Sequence, residues 1–75
     1  MFLHKMRNKT LEMVCDYAEK ACIAIEKCQW ELAETYFQKA SGLAILAGDA
    51  SLSLKFAKLE LDMRMILEGK VINHD

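Results

Sequence analysis

The sequence predicts an all-α fold, either an antiparallel three-helix bundle or a helical hairpin followed by a third helix. The chain has 75 residues with no Pro and only three Gly, so residues that break helices are scarce. Apolar residues recur at spacings of three and four through most of the chain, as on one face of a helix. Gly48 and Gly69 each stand where such a periodic segment ends, as glycines that terminate helices do.

The length indicates a single domain that covers residues 1–75. A core of this size gives only a few kcal/mol of net stability, and small domains often rely on a partner. In the lead-in, residues 1–8, the apolar side chains either extend the first helix or cap the core. We expect the tail, residues 70–75, to be loose.

The second helix, predicted over about residues 30–47, is the one around which the other two are arranged. It contains the only Trp, a Tyr-Phe pair and small residues at helical spacing. Its aromatic residues give bulk, and its alanines let neighbouring helices come close. Gly42, inside this helix, is interpreted as a point of close approach to another helix. The predicted buried face consists of Ala33, Tyr36, Phe37, Ala40, Leu43, Ala44 and Ala47.

The first helix is predicted over about residues 10–27, with Asn8 or Thr10 as its N-cap. Cys15 and Cys22 lie in its predicted buried stripe, about 10.5 Å apart along the axis, which is too far for a disulfide. We therefore expect the cysteines to be buried structural thiols. The odd number of cysteines fits a reducing, cytoplasmic environment. The full stripe is Leu11, Cys15, Ala18, Cys22 and Ile25.

The third helix is predicted over about residues 50–68, with Asp49 or Ser51 as its N-cap. Residues 59–65 alternate between apolar and polar, which is typical of a strand, but their composition favours a helix. Wound as a helix, the segment has two apolar stripes on nearly opposite sides. The stripe expected to face the core consists of Leu52, Phe56, Leu59, Met63 and Ile66.

The other stripe is the predicted partner-binding surface, because a hairpin of two helices can cover only one side of a third. An exposed apolar strip usually marks an interface, and charged residues border this one. The alternative is that the helices wrap enough to bury both sides, or that the chain ends fold over the strip. The predicted partner-binding residues are Leu54, Ala57, Lys58, Leu61, Arg64 and Met65.

Residues 30–40 resemble the second helix of a tetratricopeptide repeat, with Ala33, Phe37 and Ala40 following the aromatic Trp30. The resemblance covers about one repeat, since residues 48–75 do not repeat the pattern. In length and architecture the whole chain also resembles the three-helix microtubule-interacting and transport domain. Both resemblances imply protein–protein recognition, and the second implies binding of a short peptide helix or strand beside the third helix.

Several kinds of chemistry are not expected. His4 and His74 stand at opposite ends of the chain, and no predicted element pairs a nucleophile with a base, so we expect no enzyme, cofactor or metal site. The net charge of −1 makes nucleic acid an unlikely partner. The longest apolar run, residues 43–47, is far shorter than the roughly 20 residues of a membrane span.

The functional expectation is a small cytoplasmic protein–protein interaction module. It acts as an adaptor or chaperone-like subunit and binds a partner helix or segment through its third helix. One alternative is a structural homo-oligomer in which the third helix pairs with its own copy. Another is a small regulator that binds nucleic acid.

Overall fold

The computed structural model describes residues 2–69, and the side chains of residues 8–69. The described residues form three helices, α1 (Phe2–Glu26), α2 (Trp30–Leu46) and α3 (Ala50–Leu67), which confirms the all-α fold. The predicted tail, residues 70–75, lies outside the described residues.

The predicted start of α1 is wrong, because the helix begins eight residues earlier, at Phe2. Asn8 and Thr10 therefore lie inside α1, and neither is its N-cap. No Gly or Pro interrupts the first turns, and Leu, Met, Lys and Arg all favour helix, so the helix continues past the two candidate caps.

Both turns between helices use the same backbone geometry. In the first turn, Gln29 N donates to Ala24 O at 2.8 Å and Cys28 N donates to Ile25 O at 2.9 Å. The residues around Gly48 repeat this pair of bonds, the Schellman arrangement that satisfies the last carbonyls of a helix. Its left-handed residue is Gly48, with φ 81°, at the second turn, but Cys28, with φ 56°, at the first. The two turns are short, so successive helices run antiparallel.

The N-terminus of α3 is capped by a side chain, whereas that of α2 is not. Asp49 Oδ1 accepts a hydrogen bond from Leu52 N at 3.0 Å, so Asp49, rather than Ser51, is the cap. Gln29 precedes α2 without such a bond. The carboxylate of Asp49 also complements the positive end of the α3 dipole.

The helix α2 lies between the other two and packs against both, whereas no described Cα atom of α1 comes within 8 Å of one of α3. The buried positions of α2 are mostly alanines, and Ala33, Ala40 and Ala44 have no exposed surface. Small side chains let the axes of packed helices approach closely. The result is a bundle that is tight around α2 and open between α1 and α3.

Two apolar clusters form the core, and Phe56 of α3 packs against both. Phe37 is the large side chain of the first cluster, and its ring centroid lies 6.1 Å from that of Phe56. The second cluster surrounds Val14 of α1. The buried members of the two clusters are Ala21, Ala24, Ala33, Phe37 and Met63, and Val14, Ala40 and Ala44.

A polar contact fixes α3 against α2. The hydroxyl of Ser41 donates to the carbonyl oxygen of Ser53 at 3.0 Å, and the two hydroxyl oxygens lie 2.9 Å apart. Ser53 is buried, and this pair gives its hydroxyl a partner, so its burial carries no unpaired polar group.

The predicted buried stripe of α1 is wrong in its cysteines, since Cys15, Cys22 and also Cys28 are exposed. The buried residues of α1 are instead Val14, Ala21 and Ala24, which lie on the neighbouring line of the same helix, while the apolar members of the predicted stripe are half-buried. The apolar sector of α1 is wide enough to hold both lines. Helix α2 packs on the line richer in alanine, where its aromatic side chains find room.

Two further expectations are corrected by the structure. Leu59, expected in the core, is 38% exposed, although Met63 on the same stripe is buried. Leu59 lies on the side of α3 that faces α1, and α1 does not come close enough to cover it. Gly42 is exposed, and a Cβ atom added there would meet no other atom within 4 Å, so it marks no close approach of helices.

We expect Phe37→Ala to destabilise the protein by about 3–5 kcal/mol, because it removes a fully packed ring and leaves a cavity between all three helices. Leu46→Ala is the matched control, since Leu46 is 78% exposed and its truncation opens no cavity. Urea unfolding followed by circular dichroism measures both changes. Equal midpoints for the two variants would contradict the packing described for Phe37.

We expect Asp49→Ala to cost about 1 kcal/mol of unfolding free energy, because one backbone N–H of α3 loses its acceptor. Ser51→Ala, two residues later and exposed, is the control and should unfold at the midpoint of the wild type. The same urea titration reports both variants. A larger loss of unfolding free energy for Ser51→Ala than for Asp49→Ala would contradict the assignment of Asp49 as the cap.

Candidate protein-interaction surface

The outer side of α3 carries exposed leucines. Leu54 is 58% exposed and Leu61 is 53% exposed. They are seven residues apart, so they lie on the same side of the helix, two turns from each other. Lys58 is exposed between them, and Met65, one turn beyond Leu61, is half-buried. The four side chains form a row that we call the outer row of α3.

The remaining two residues of the predicted surface, Ala57 and Arg64, lie at its border with α2. Arg64 Nε donates to Glu34 Oε2 at 2.8 Å, and Arg64 Nη2 lies 3.5 Å from Glu60 Oε2. The bond to Glu34, and then the charges of both carboxylates, raise the pKa of Arg64 above its ordinary value. Its guanidinium therefore stays charged and attached to α2, with about half of the side chain still open to solvent.

The end of α2 is apolar and exposed, which was not predicted from the sequence: Ile45 is 63% and Leu46 is 78% exposed. Leu46 belongs to an open hollow of about 370 Å³ between α1 and α2, which Met13, Tyr17 and Leu43 also line. The signal was present in residues 43–47, which are all apolar. A helix that buries one face cannot cover five apolar residues in succession.

The ring of Tyr17, at one edge of this hollow, has two lysines close to it. The Nζ atoms of Lys20 and Lys39 lie 5.5 and 5.6 Å from its centroid, within the range of cation–π attraction. The ring also lies 6.0 Å from that of Tyr36, centroid to centroid, so it joins α1 to α2. A second open hollow, of about 570 Å³, lies beside the turn between α1 and α2, next to Trp30 and Leu67.

No metal or membrane-spanning feature appears in the part of the chain that the structure describes. Within residues 8–69, His, Cys, Asp and Glu side chains nowhere gather in groups of three that could hold a metal ion. None of the three described helices has the length and apolar character needed to cross a bilayer.

Comparison with known proteins gives no relative: no protein family, curated protein or solved structure matches the chain. The described helices form a compact three-helix module, and no match supports the tetratricopeptide repeat or the microtubule-interacting and transport domain specifically.

Proposed function

We propose that this protein is a small protein–protein interaction module, an adaptor or chaperone-like subunit that holds a helix or segment of another protein against the outer row of α3. The observation that carries the proposal is the exposure of Leu54 and Leu61, each more than half open to solvent on one side of a single helix. An apolar centre with charged neighbours is the composition of protein interfaces.

The fold does not need these leucines where they are. The opposite side of α3 already supplies the core with Phe56 and Met63. A polar residue at position 54 or 61 would leave those contacts unchanged. The two leucines are about 10.5 Å apart along the axis, which matches the spacing at which an amphipathic partner helix presents its anchors.

The surface is held rigidly, which favours binding because little freedom is lost on association. The Ser41–Ser53 pair attaches the first half of α3 to α2, and the buried Met63 holds the second half, to which the exposed Arg64–Glu34 ion pair adds little. Lys58, exposed between Leu54 and Leu61, supplies a positive charge with which an acidic flank of the partner can pair.

In this proposal the protein acts by binding alone, without catalysis, cofactor or metal, and it works in the cytoplasm. The exposed cysteines support that compartment. Cys15, Cys22 and Cys28 are all free thiols on the surface, which persist in a reducing environment.

We expect Leu61→Glu to abolish capture of the partner while leaving the fold intact. The substitution places a negative charge in the centre of the outer row of α3, and in the free protein that charge stays exposed to solvent. Leu46→Glu is the matched control, with the same substitution at a more exposed leucine on another helix. The wild type and both variants serve as baits in the native cell, and circular dichroism checks their helicity and melting.

A protein that is retained by the wild type and by Leu46→Glu, but lost with Leu61→Glu, is then purified and its binding to all three baits is measured. Direct binding with the same pattern supports the proposal. An unfolded Leu61→Glu variant, or equal capture by all three baits, contradicts it. If Leu61→Glu instead only converts a dimer of the chain into a monomer, the protein is a homo-oligomer that pairs through α3.

A further inference from the structure

A second surface lies on the open side of the bundle, in the cleft between α1 and α3. These two helices run parallel, since each is antiparallel to α2, and their described Cα atoms stay more than 8 Å apart. Side chains of Phe56 and Met63 fill the bottom of the cleft over the alanines of α2. Ile25 of α1 and Ile66 of α3 pack against the same cluster, so they mark the two walls.

The α1 wall is the apolar line that shares a face with Ile25, at spacings of four and three residues. The hollow beside Tyr17 is lined by α1 and α2 alone, so it lies on the other side of α1 from this wall. Two of its members, Cys15 and Cys22, are exposed. The wall consists of Leu11, Cys15, Ala18, Cys22 and Ile25.

The α3 wall is formed by three residues at intervals of seven, Leu52, Leu59 and Ile66. The outer two are half-buried against the core clusters. Leu59, between them, is 38% exposed. The cleft therefore has apolar side chains along both walls, and some of their surface remains open to water.

The two rims of the cleft carry opposite charge. Beyond the α1 wall, Glu12, Glu19 and Glu26 follow each other at intervals of seven, and all three are exposed. Beyond the α3 wall, Lys55 and Lys58 are exposed, with the half-buried Asp62 one turn further along. One rim is acidic along its whole length, and the other is basic over its first half.

We propose that a second copy of this chain docks on the cleft face, with α1 of each copy lying over α3 of the other. A two-fold axis parallel to the helices exchanges the positions of α1 and α3, so the acidic rim of each copy meets the basic rim of its partner, twice per dimer. A two-fold axis across the helices would instead set one row of glutamates against the other. Charge therefore selects both the occupant and its orientation.

Apart from Lys58, which borders both surfaces, this dimer uses a different side of α3 from the proposed partner surface. Its contacts are Leu59 and the wall cysteines, whereas Leu54 and Leu61 stay exposed. The Leu61→Glu variant should therefore dimerise as the wild type does. Loss of partner capture would test the first proposal, and loss of dimerisation would test this one, so the failure of either can be recognised by itself.

The cysteines report the dimer directly. In sedimentation experiments at rising protein concentration, we expect the monomer to give way to a dimer. Over the same range, the labelling rates of Cys15 and Cys22 by a maleimide should fall at least about tenfold relative to the monomer, because the second copy covers them. Cys28, in the turn outside the cleft, is the internal control and should keep its rate.

A charge exchange tests the orientation. Glu19→Lys and Lys55→Glu should each weaken dimerisation by about tenfold or more, because both rims then face like charges. An equimolar mixture of the two variants should recover wild-type affinity, since both rim contacts of the mixed dimer are again complementary. Glu31→Lys, with the same charge change on the exposed side of α2, should dimerise as the wild type does.

Three results would overturn the proposal. The first is a protein that stays monomeric at every concentration, whether its wall cysteines react quickly or are already covered by the chain's own ends. The second is a dimer in which Cys15 and Cys22 react as fast as in the monomer. The third is a dimer whose mixed Glu19→Lys and Lys55→Glu variants associate no better than either alone.

Discussion

The close packing of α2 against both neighbours is the constraint on which the rest of the structure depends. Ala33, Ala40 and Ala44 have no exposed surface, and their small side chains bring α1 and α3 close to α2. Phe37 and Met63 add bulk between the three helices, and Phe56, stacked on Phe37, extends it. Because both outer helices are bound to the middle one rather than to each other, each keeps apolar surface on its free sides.

The helical fold could be predicted because its signals are local. The absence of Pro, the glycine after α2 and the aspartate before α3 each act within one turn, and α2 and α3 end within about one residue of their predicted bounds. The buried side of α1 could not be predicted in the same way. Its apolar residues fill two adjacent lines, and only the shape of α2 decides that Val14 and Ala21, rather than Cys15 and Cys22, face it.

The candidate surface was predictable for a related reason. Two opposed apolar stripes on α3 cannot both face a two-helix hairpin, so one of them had to stay outside, and Leu54 and Leu61 are exposed. The ion pair between Arg64 and Glu34 could not be predicted from the sequence, because the two residues are thirty positions apart and meet only after α3 has packed against α2. The same holds for Leu59, whose exposure follows from the gap between α1 and α3.

The separation of α1 from α3 also bears on how the chain folds. Every close backbone approach between helices joins neighbours in sequence, through turns of a few residues. Such a topology has low contact order, and closing these short loops costs little chain entropy. Each helical hairpin can therefore form without waiting for a distant segment, and the chain should reach its native state on the microsecond-to-millisecond timescale of small helical bundles.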